Sequence, residues 1–177
     1  MIQQNIYMGN EGRKKLLNGV KKLANAVSST LGPGGRNVIY LMGNATYITK
    51  DGVTVARHVN PPDVLEKMGA DIIRQASEQS AQQSGDGTST SAILTEAIAS
   101  EGMKLIETGY NPISIQRGVI SAAKTIANYI KENIKQECSP EQIHQIALVS
   151  TNWDKEIAHL VSEAVEKVGL DGSITIN

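Results

Sequence analysis

Gly85-Asp86-Gly87-Thr88-Ser89-Thr90 decides how this chain is read. Before it lies a helical pattern that turns polar from Gln79 to Ser84. After it an apolar-periodic helix runs from Thr88 to Glu107 and stops at Gly109, a residue suited to the position just past a helix end. A glycine loop that runs straight into a helix is one way to build a phosphate site. Glycine lets the backbone approach a ligand closely. The first turn of the helix offers unpaired N–H groups and the positive end of the dipole. Thr88, Ser89 and Thr90 add hydroxyl donors, and Asp86 can hold a magnesium ion against phosphate oxygens. The same hexapeptide also makes an ordinary turn with a helix N-cap, so alone it leaves both readings open.

The flanking sequence is mainly helical. Asn10 to Ser28 puts Leu16, Leu17, Val20, Leu23, Ala24 and Val27 on one face, with Gly12, Gly19 and the Lys/Arg residues assigned to solvent. Gly32-Pro33-Gly34-Gly35 cannot continue that helix. Arg36–Leu41 and Ala45–Thr49 read as a hairpin that needs a further partner in order to be stable, closed by Lys50-Asp51-Gly52. Asp63 to Gln83 is a second helix with Leu65, Met68, Ile72, Ile73 and Ala76 on its stripe. Asn111-Pro112 opens another helix with an N-cap and a proline at its first position, and Ile115 to Ile134 supply its apolar residues. Ser139-Pro140-Glu141-Gln142 is a capping box, and the polar joint Lys135 to Glu137 before it is the best domain boundary. A last helix, Lys155 to Val168, carries Ile157, Leu160, Val161, Ala164, Val165 and Val168, and a strand starts at Ser173 to Ile176.

Bulk properties exclude several classes. The 177 residues carry 17 Lys+Arg against 18 Asp+Glu, a net charge of −1, so there is no basic footprint for nucleic acid and no polybasic membrane patch. No stretch approaches the roughly 20 apolar residues of a membrane span, and Met1 to Asn5 does not resemble a signal peptide. A single cysteine, Cys138, suits a reducing compartment and reads as structural, and the expected location is cytoplasmic. With no phenylalanine and one tryptophan, Trp153, the core must be built from aliphatic and small residues. His58, His144 and His159 lack metal-ligand spacing, and no P-loop motif occurs.

Three glycine loops stand in order: Thr30-Leu31-Gly32-Pro33-Gly34-Gly35-Arg36-Asn37-Val38, Ile48-Thr49-Lys50-Asp51-Gly52-Val53-Thr54-Val55-Ala56, and Gly85 to Thr90. Together with Asn111-Pro112, Val149-Ser150-Thr151-Asn152 and Val168-Gly169-Leu170-Asp171-Gly172-Ser173-Ile174-Thr175, they resemble the N-terminal part of the group I chaperonins, the GroEL family. The resemblance covers essentially the whole chain. It implies a mainly α fold: a chaperonin equatorial-domain-like helical bundle with a small β-hairpin over residues 1–134, then part of an intermediate hinge domain over 135–177. The apical domain and the C-terminal equatorial part are absent, and the strand opening at Ser173 has no partner here, so a truncated subunit is expected.

The resemblance also implies roles. Thr30, Leu31, Gly32 and Pro33 touch the nucleotide through a tight backbone turn, which residue by residue reads equally as a helix stop. Asp86 is the magnesium ligand, and Gly87, Thr88, Ser89 and Thr90 cradle the phosphates. Asp51 orients the attacking water and accepts its proton, where the plain alternative is a polar turn. Lys50 reaches phosphate oxygens or shapes a monovalent-cation site, with K+ as the candidate. Ser150 lies where the hinge approaches the nucleotide. Gly34 departs from a usual lysine and Trp153 from a usual small residue. The implied function is an ATP-dependent protein-folding subunit using ATP and Mg2+. Its partners would be other chaperonin subunits, as a ring homo-oligomer or a complementary fragment, with unfolded clients and a co-chaperonin reached only through the absent apical domain. The other class is a non-enzymatic interaction module that docks with chaperonin chains. The three loops are expected to converge on one cleft, and the Val119 to Ile134 face to be left exposed.

Overall fold

The computed structural model describes Tyr7 and residues 9–151, 153–169 and 172–175. The order of elements is α1 (Gly9–Ser28), β1 (Val38–Met42), β2 (Ala45–Thr49), α2 (Gly52–His58), α3 (Val64–Ser84), α4 (Thr88–Glu107), α5 (Pro112–Tyr129), a π-helical turn at Ile130–Ile134, α6 (Pro140–Ser150) and α7 (Lys155–Val168). The chain divides into two compact units, Met1–Ile120 and Ser121–Asn177.

In the first unit, α1, α2, α3 and α4 close around Val20, Leu23, Ala24, Val27, Val55, Ala56, Ala70, Ile73 and Ala92. These side chains are small or aliphatic, as a chain without phenylalanine requires, and that size lets helices approach closely. The contact between α1 and α3 is closer still. A Cβ on Gly19 would lie 1.7 Å from the Glu66 carbonyl oxygen, and one on Gly69 would lie 1.9 Å from that of Leu16. Only glycine fits at either point. Lys15–Asp63 at 2.8 Å and Lys22–Glu66 at 2.6 Å flank this seam.

The sequence placed Gly12 and Gly19 on the solvent side of α1, and both are buried instead. Apolar periodicity does not register glycine, whose packing role is to let another backbone in. Met68 and Ile72 were placed on the core stripe of α3 but are 53% and 52% exposed, and Leu65, Gly69, Ala70, Ile73 and Ser77 form the buried stripe. The cause is the same: the true stripe is centred on small residues.

The hairpin is antiparallel, with Tyr40 opposite Tyr47 and Ile39 opposite Ile48. Gly43 takes φ +62° in the two-residue turn. Strand β1 starts at Val38 rather than Arg36. Ile39, Leu41 and Ile48 are each about two-thirds exposed. Tyr40 stacks on Tyr47 and also on His58 of α2, at 4.0 Å between ring centroids.

Helix α2 was not foreseen. Seven residues are too few for a periodic signal, and Lys50-Asp51-Gly52 read as a turn. Asp51 is instead the N-cap, with its carboxylate accepting from the Val53 and Thr54 N–H groups.

In the second unit α6 packs on α7. Ala147 and Ala158 are buried, and His144 Nδ1 lies 3.1 Å from Ser162 Oγ. Ser139 caps α6 through the expected box. Cys138 is exposed, so the structural role assigned to it does not hold. Ile157 and Leu160, assigned to the packed face of α7, are 49% and 64% exposed. Gly172 N–H donates to Gly169 O. Residues 172–175 form no strand. Asn152, Leu170, Asp171 and Ile176, which the resemblance or the strand reading used, lie outside the described residues.

Candidate functional site

Helix α1 ends in a tight turn. Thr30 N–H and Oγ1 both donate to Val27 O, Gly32 takes φ +73°, and Arg36 N–H donates back to Ser29 O at 2.8 Å. Thr30 is buried, while Leu31, Gly32, Pro33 and Gly34 are exposed. A Cβ on Gly35 would meet Thr30 O at 2.1 Å, so the turn requires glycine there. At Gly34 a Cβ would meet nothing within 4 Å, so the turn does not require glycine there.

The second loop leads into α2. Asp51 N–H donates to Thr49 Oγ1, and Asp51 Oδ2 accepts from Thr54 N–H and, at 2.6 Å, from Thr54 Oγ1. Burial pushes the carboxyl pKa up. The Thr54 hydroxyl, the Thr54 and Val53 N–H groups and the Arg57 charge outweigh that and hold it below the ordinary value. Lys50 is exposed directly before this cap.

The third loop joins α3 to α4. Gly85 and Gly87 take φ +72° and +79°. Two serines of α3 tie the loop down: Ser80 Oγ donates to Asp86 O and Ser77 Oγ to Thr88 O, each at 3.1 Å. Asp86 is exposed, and its Oδ1 accepts from Gly87 N–H at 2.6 Å. The N-terminus of α4 has no side-chain cap. By contrast, α2, α3, α6 and α7 open under Asp51, Asp63, Ser139 and Asp154, and α5 under Asn111. The first-turn N–H groups of α4 are thus open to a ligand.

The three loops meet at Gly52. A Cβ there would sit 2.1 Å from Ser89 Oγ and 3.4 Å from both Thr30 Oγ1 and Val27 Cγ1. One glycine therefore brings together a hydroxyl from the end of α1, the start of α2 and a hydroxyl of α4. Gly52, Ser77, Ser80 and Thr49 were not singled out from sequence. Thr49 and Gly52 lay within the second glycine loop, and the polar end of α3 hinted at Ser80. Ser150 is the last residue of α6, in the other unit.

Among the described residues no three His, Cys, Asp or Glu side chains cluster as a metal cage. A magnesium ion fits the donor set only in the form it commonly takes, with one carboxylate and the rest of its shell from phosphate and water. An apolar groove between α4 and α5, lined by Ile98, Leu105, Ile115 and Val119, involves none of the loop residues. Among the described residues no helix is long and apolar enough to cross a membrane.

The model of the TCP-1/cpn60 chaperonin family matches residues 23–175. The fold is similar to that of the chaperonin gp146 from the bacteriophage EL 2 (Pseudomonas aeruginosa), crystallised in the presence of ATP-BeFx. In one crystal form the TM-score is 0.77 at 26% identity over 94% of this chain and 30% of that one. In the other it is 0.74 at 26% identity over 90% and 28%. A group III chaperonin in the open state gives a TM-score of 0.73 at 22% identity over 89% and 32%. The chain spans about a third of the length of the solved chaperonins it matches.

Proposed function

The chain belongs to the TCP-1/cpn60 chaperonin family, and from that premise we propose that its first unit binds Mg-ATP where the three glycine loops meet, as the nucleotide-binding part of a chaperonin subunit. The observation that carries this is the uncapped start of α4 set beside Gly52 and Thr30. Open N–H groups at a helix start, with hydroxyls on the same turn, are suited to phosphate. The gp146 structure, crystallised in the presence of ATP-BeFx, supports the same ligand.

In this reading the Thr88, Ser89 and Thr90 N–H and hydroxyl groups take phosphate oxygens. The Thr30 to Pro33 turn lies along the nucleoside. Asp86 offers the metal its Oδ2, since Oδ1 is engaged by Gly87 N–H. A bound magnesium ion supplies positive charge against the phosphates. Asp51, kept ionised by its hydrogen bonds, orients the attacking water. A carboxylate stabilised this way is a weak base, so orientation is its larger contribution. Lys50 adds a cation at the phosphate end or helps seat K+. Coupling of hydrolysis to client folding in a ring belongs to this proposal for the assembled subunit.

A second reading, a docking module without turnover, is favoured by one observation. Ile120, Ile126, Ile130 and Ile134 along α5 and its π-turn are about half exposed, as are larger parts of the hairpin.

Calorimetric titration of Mg-ATP into the chain tests the first reading. Binding is expected to require magnesium and to be lost in Asp86→Ala. Binding that survives both magnesium removal and Asp86→Ala would overturn the site.

A further inference from the structure

Helix α2 is seven residues long, roughly 10 Å, and far too short to persist by itself. Besides the stacking of His58 on Tyr40 of the hairpin, three things hold it. Asp51 caps its first turn. Val55 and Ala56 are buried in the core. The third hold comes from α3. Arg74 Nε donates to Ala56 O at 3.1 Å and Nη2 donates to Val59 O at 2.7 Å, while Nη1 pairs with Asp71. Ala56 O belongs to the last turn of α2, where carbonyls lack helical partners, and Val59 is its C-cap. The guanidinium also brings positive charge to the negative end of the helix. Its side chain is only 20% exposed, so these bonds are partly shielded from water.

We infer that Arg74 is a positioning residue for the nucleotide cleft: by gripping the C-terminal end of α2 it holds Asp51 and Gly52, at the other end, in register with Ser89 and Thr30. The inference rests on the reading of that cleft as an Mg-ATP site. Its mechanical part stands without nucleotide. A short rod pinned at its middle by Val55 and Ala56 pivots unless its far end is tied. At Gly52 there is no slack in the fit, because Ser89 Oγ lies only 2.1 Å from where a Cβ would be. A tilt of α2 therefore changes the cleft directly. The planar fork of arginine matches two carbonyls and a carboxylate at once, whereas the ammonium of a lysine is a compact point charge. Arg57, on α2 itself, supplies the control. Its Nε lies 3.7 Å from Glu78 across an exposed surface, and it makes no bond to the helix-end carbonyls.

The test compares the full chain with Arg74→Met, Arg74→Lys and Arg57→Met by amide hydrogen exchange and by Mg-ATP calorimetry. The reporters are the Val55 and Val59 amides, bonded to Asp51 O and Val55 O. In Arg74→Met they are expected to exchange about tenfold faster, the loss of one or two good hydrogen bonds. The Leu23 and Ile73 amides, in α1 and α3, are expected to be unchanged. Mg-ATP affinity is expected to fall by a similar factor. Arg74→Lys falls between wild type and Arg74→Met, and Arg57→Met matches wild type in exchange at Val55 and Val59. Should Arg74→Met not fold, the Lys variant carries the comparison, with an expected loss of about threefold. Unchanged exchange at Val55 and Val59 would overturn the inference, and so would equal loss of protection at Leu23 and Ile73. A wild-type chain that does not bind Mg-ATP would instead sink the reading of the cleft, while the exchange data still decide whether Arg74 holds α2.

Discussion

Gly52→Ala is the sharpest test of how the loops are joined. The added methyl would stand 2.1 Å from Ser89 Oγ, roughly 1 Å short of ordinary contact. It has no easy retreat, because Thr30 Oγ1 and Val27 Cγ1 already lie at 3.4 Å. Either α2 shifts or Ser89 rotates its hydroxyl out of the cleft. Overpacking of this kind costs about 1–3 kcal/mol, offset by up to about 1 kcal/mol from the better helix propensity of alanine. A net loss of about 1 kcal/mol is expected in urea unfolding followed by circular dichroism. Ser89→Ala removes the clashing atom, and the next contacts of the new methyl are already at ordinary distance. The double variant should therefore recover most of that loss, giving a coupling of about 1 kcal/mol in the cycle. Mg-ATP affinity should not recover, because the hydroxyl is gone. Gly34→Ala, which meets nothing, should stay within about 0.5 kcal/mol of wild type. Gly52→Ala as stable as wild type, with no coupling to Ser89, would refute the convergence of the loops.

Acid unfolding should separate wild type from Asp51→Ala. The folded pKa of Asp51 lies below its ordinary value of 3.8, so its contribution is complete above that value and lost as the pH falls through the folded pKa, where the two curves should meet. Trp153 sits at φ +67°, a left-handed conformation that costs a non-glycine residue roughly 1–2 kcal/mol. Less the entropy of glycine, about 0.5–1 kcal/mol, Trp153→Gly should stabilise the second unit by about 0.5 kcal/mol in thermal melts. The exposed Ile39, Leu41 and Ile48 should drive self-association, and Leu41→Lys with Ile48→Lys should shift sedimentation velocity profiles toward the monomer.

Long periodic helices were legible from sequence. Thr88–Glu107 and Lys155–Val168 match the expected ranges, because a glycine loop precedes the first, an Asp154 cap opens the second and a glycine follows each. Asp63 and Ser139 also stand at the expected helix starts. The misses share a cause: they depend on what is across the gap rather than along the chain. Gly19 looks like a solvent position until α3 is present, and Gly12 until Tyr7 covers it. Met68 and Ile72 look like core until small residues turn out to form the contact. Helix α2 is held by a residue 15 to 18 positions away in sequence, Arg74, so no local pattern announces it. For the candidate site, the order and spacing of the glycine loops were enough to group the three loops, which meet at Gly52. They did not show that Asp51 is a helix cap or that α4 is left uncapped.

The backbone contact at Gly19 and Gly69 also sets a tolerance. Most helix pairs are separated by side chains, and a methylene more or less on either surface adjusts their spacing. Here the peptide groups of α1 and α3 touch, so no side chain stands between them to be trimmed or lengthened. The Thr30 turn leaves the end of α1 and the Gly85 to Thr90 loop leaves the end of α3. The two halves of the cleft are thus mounted on a joint without a spacer. Substitutions elsewhere in the core can loosen the fold as a whole, but the separation of α1 and α3 at their crossing has a lower limit fixed by the van der Waals radius of the main chain.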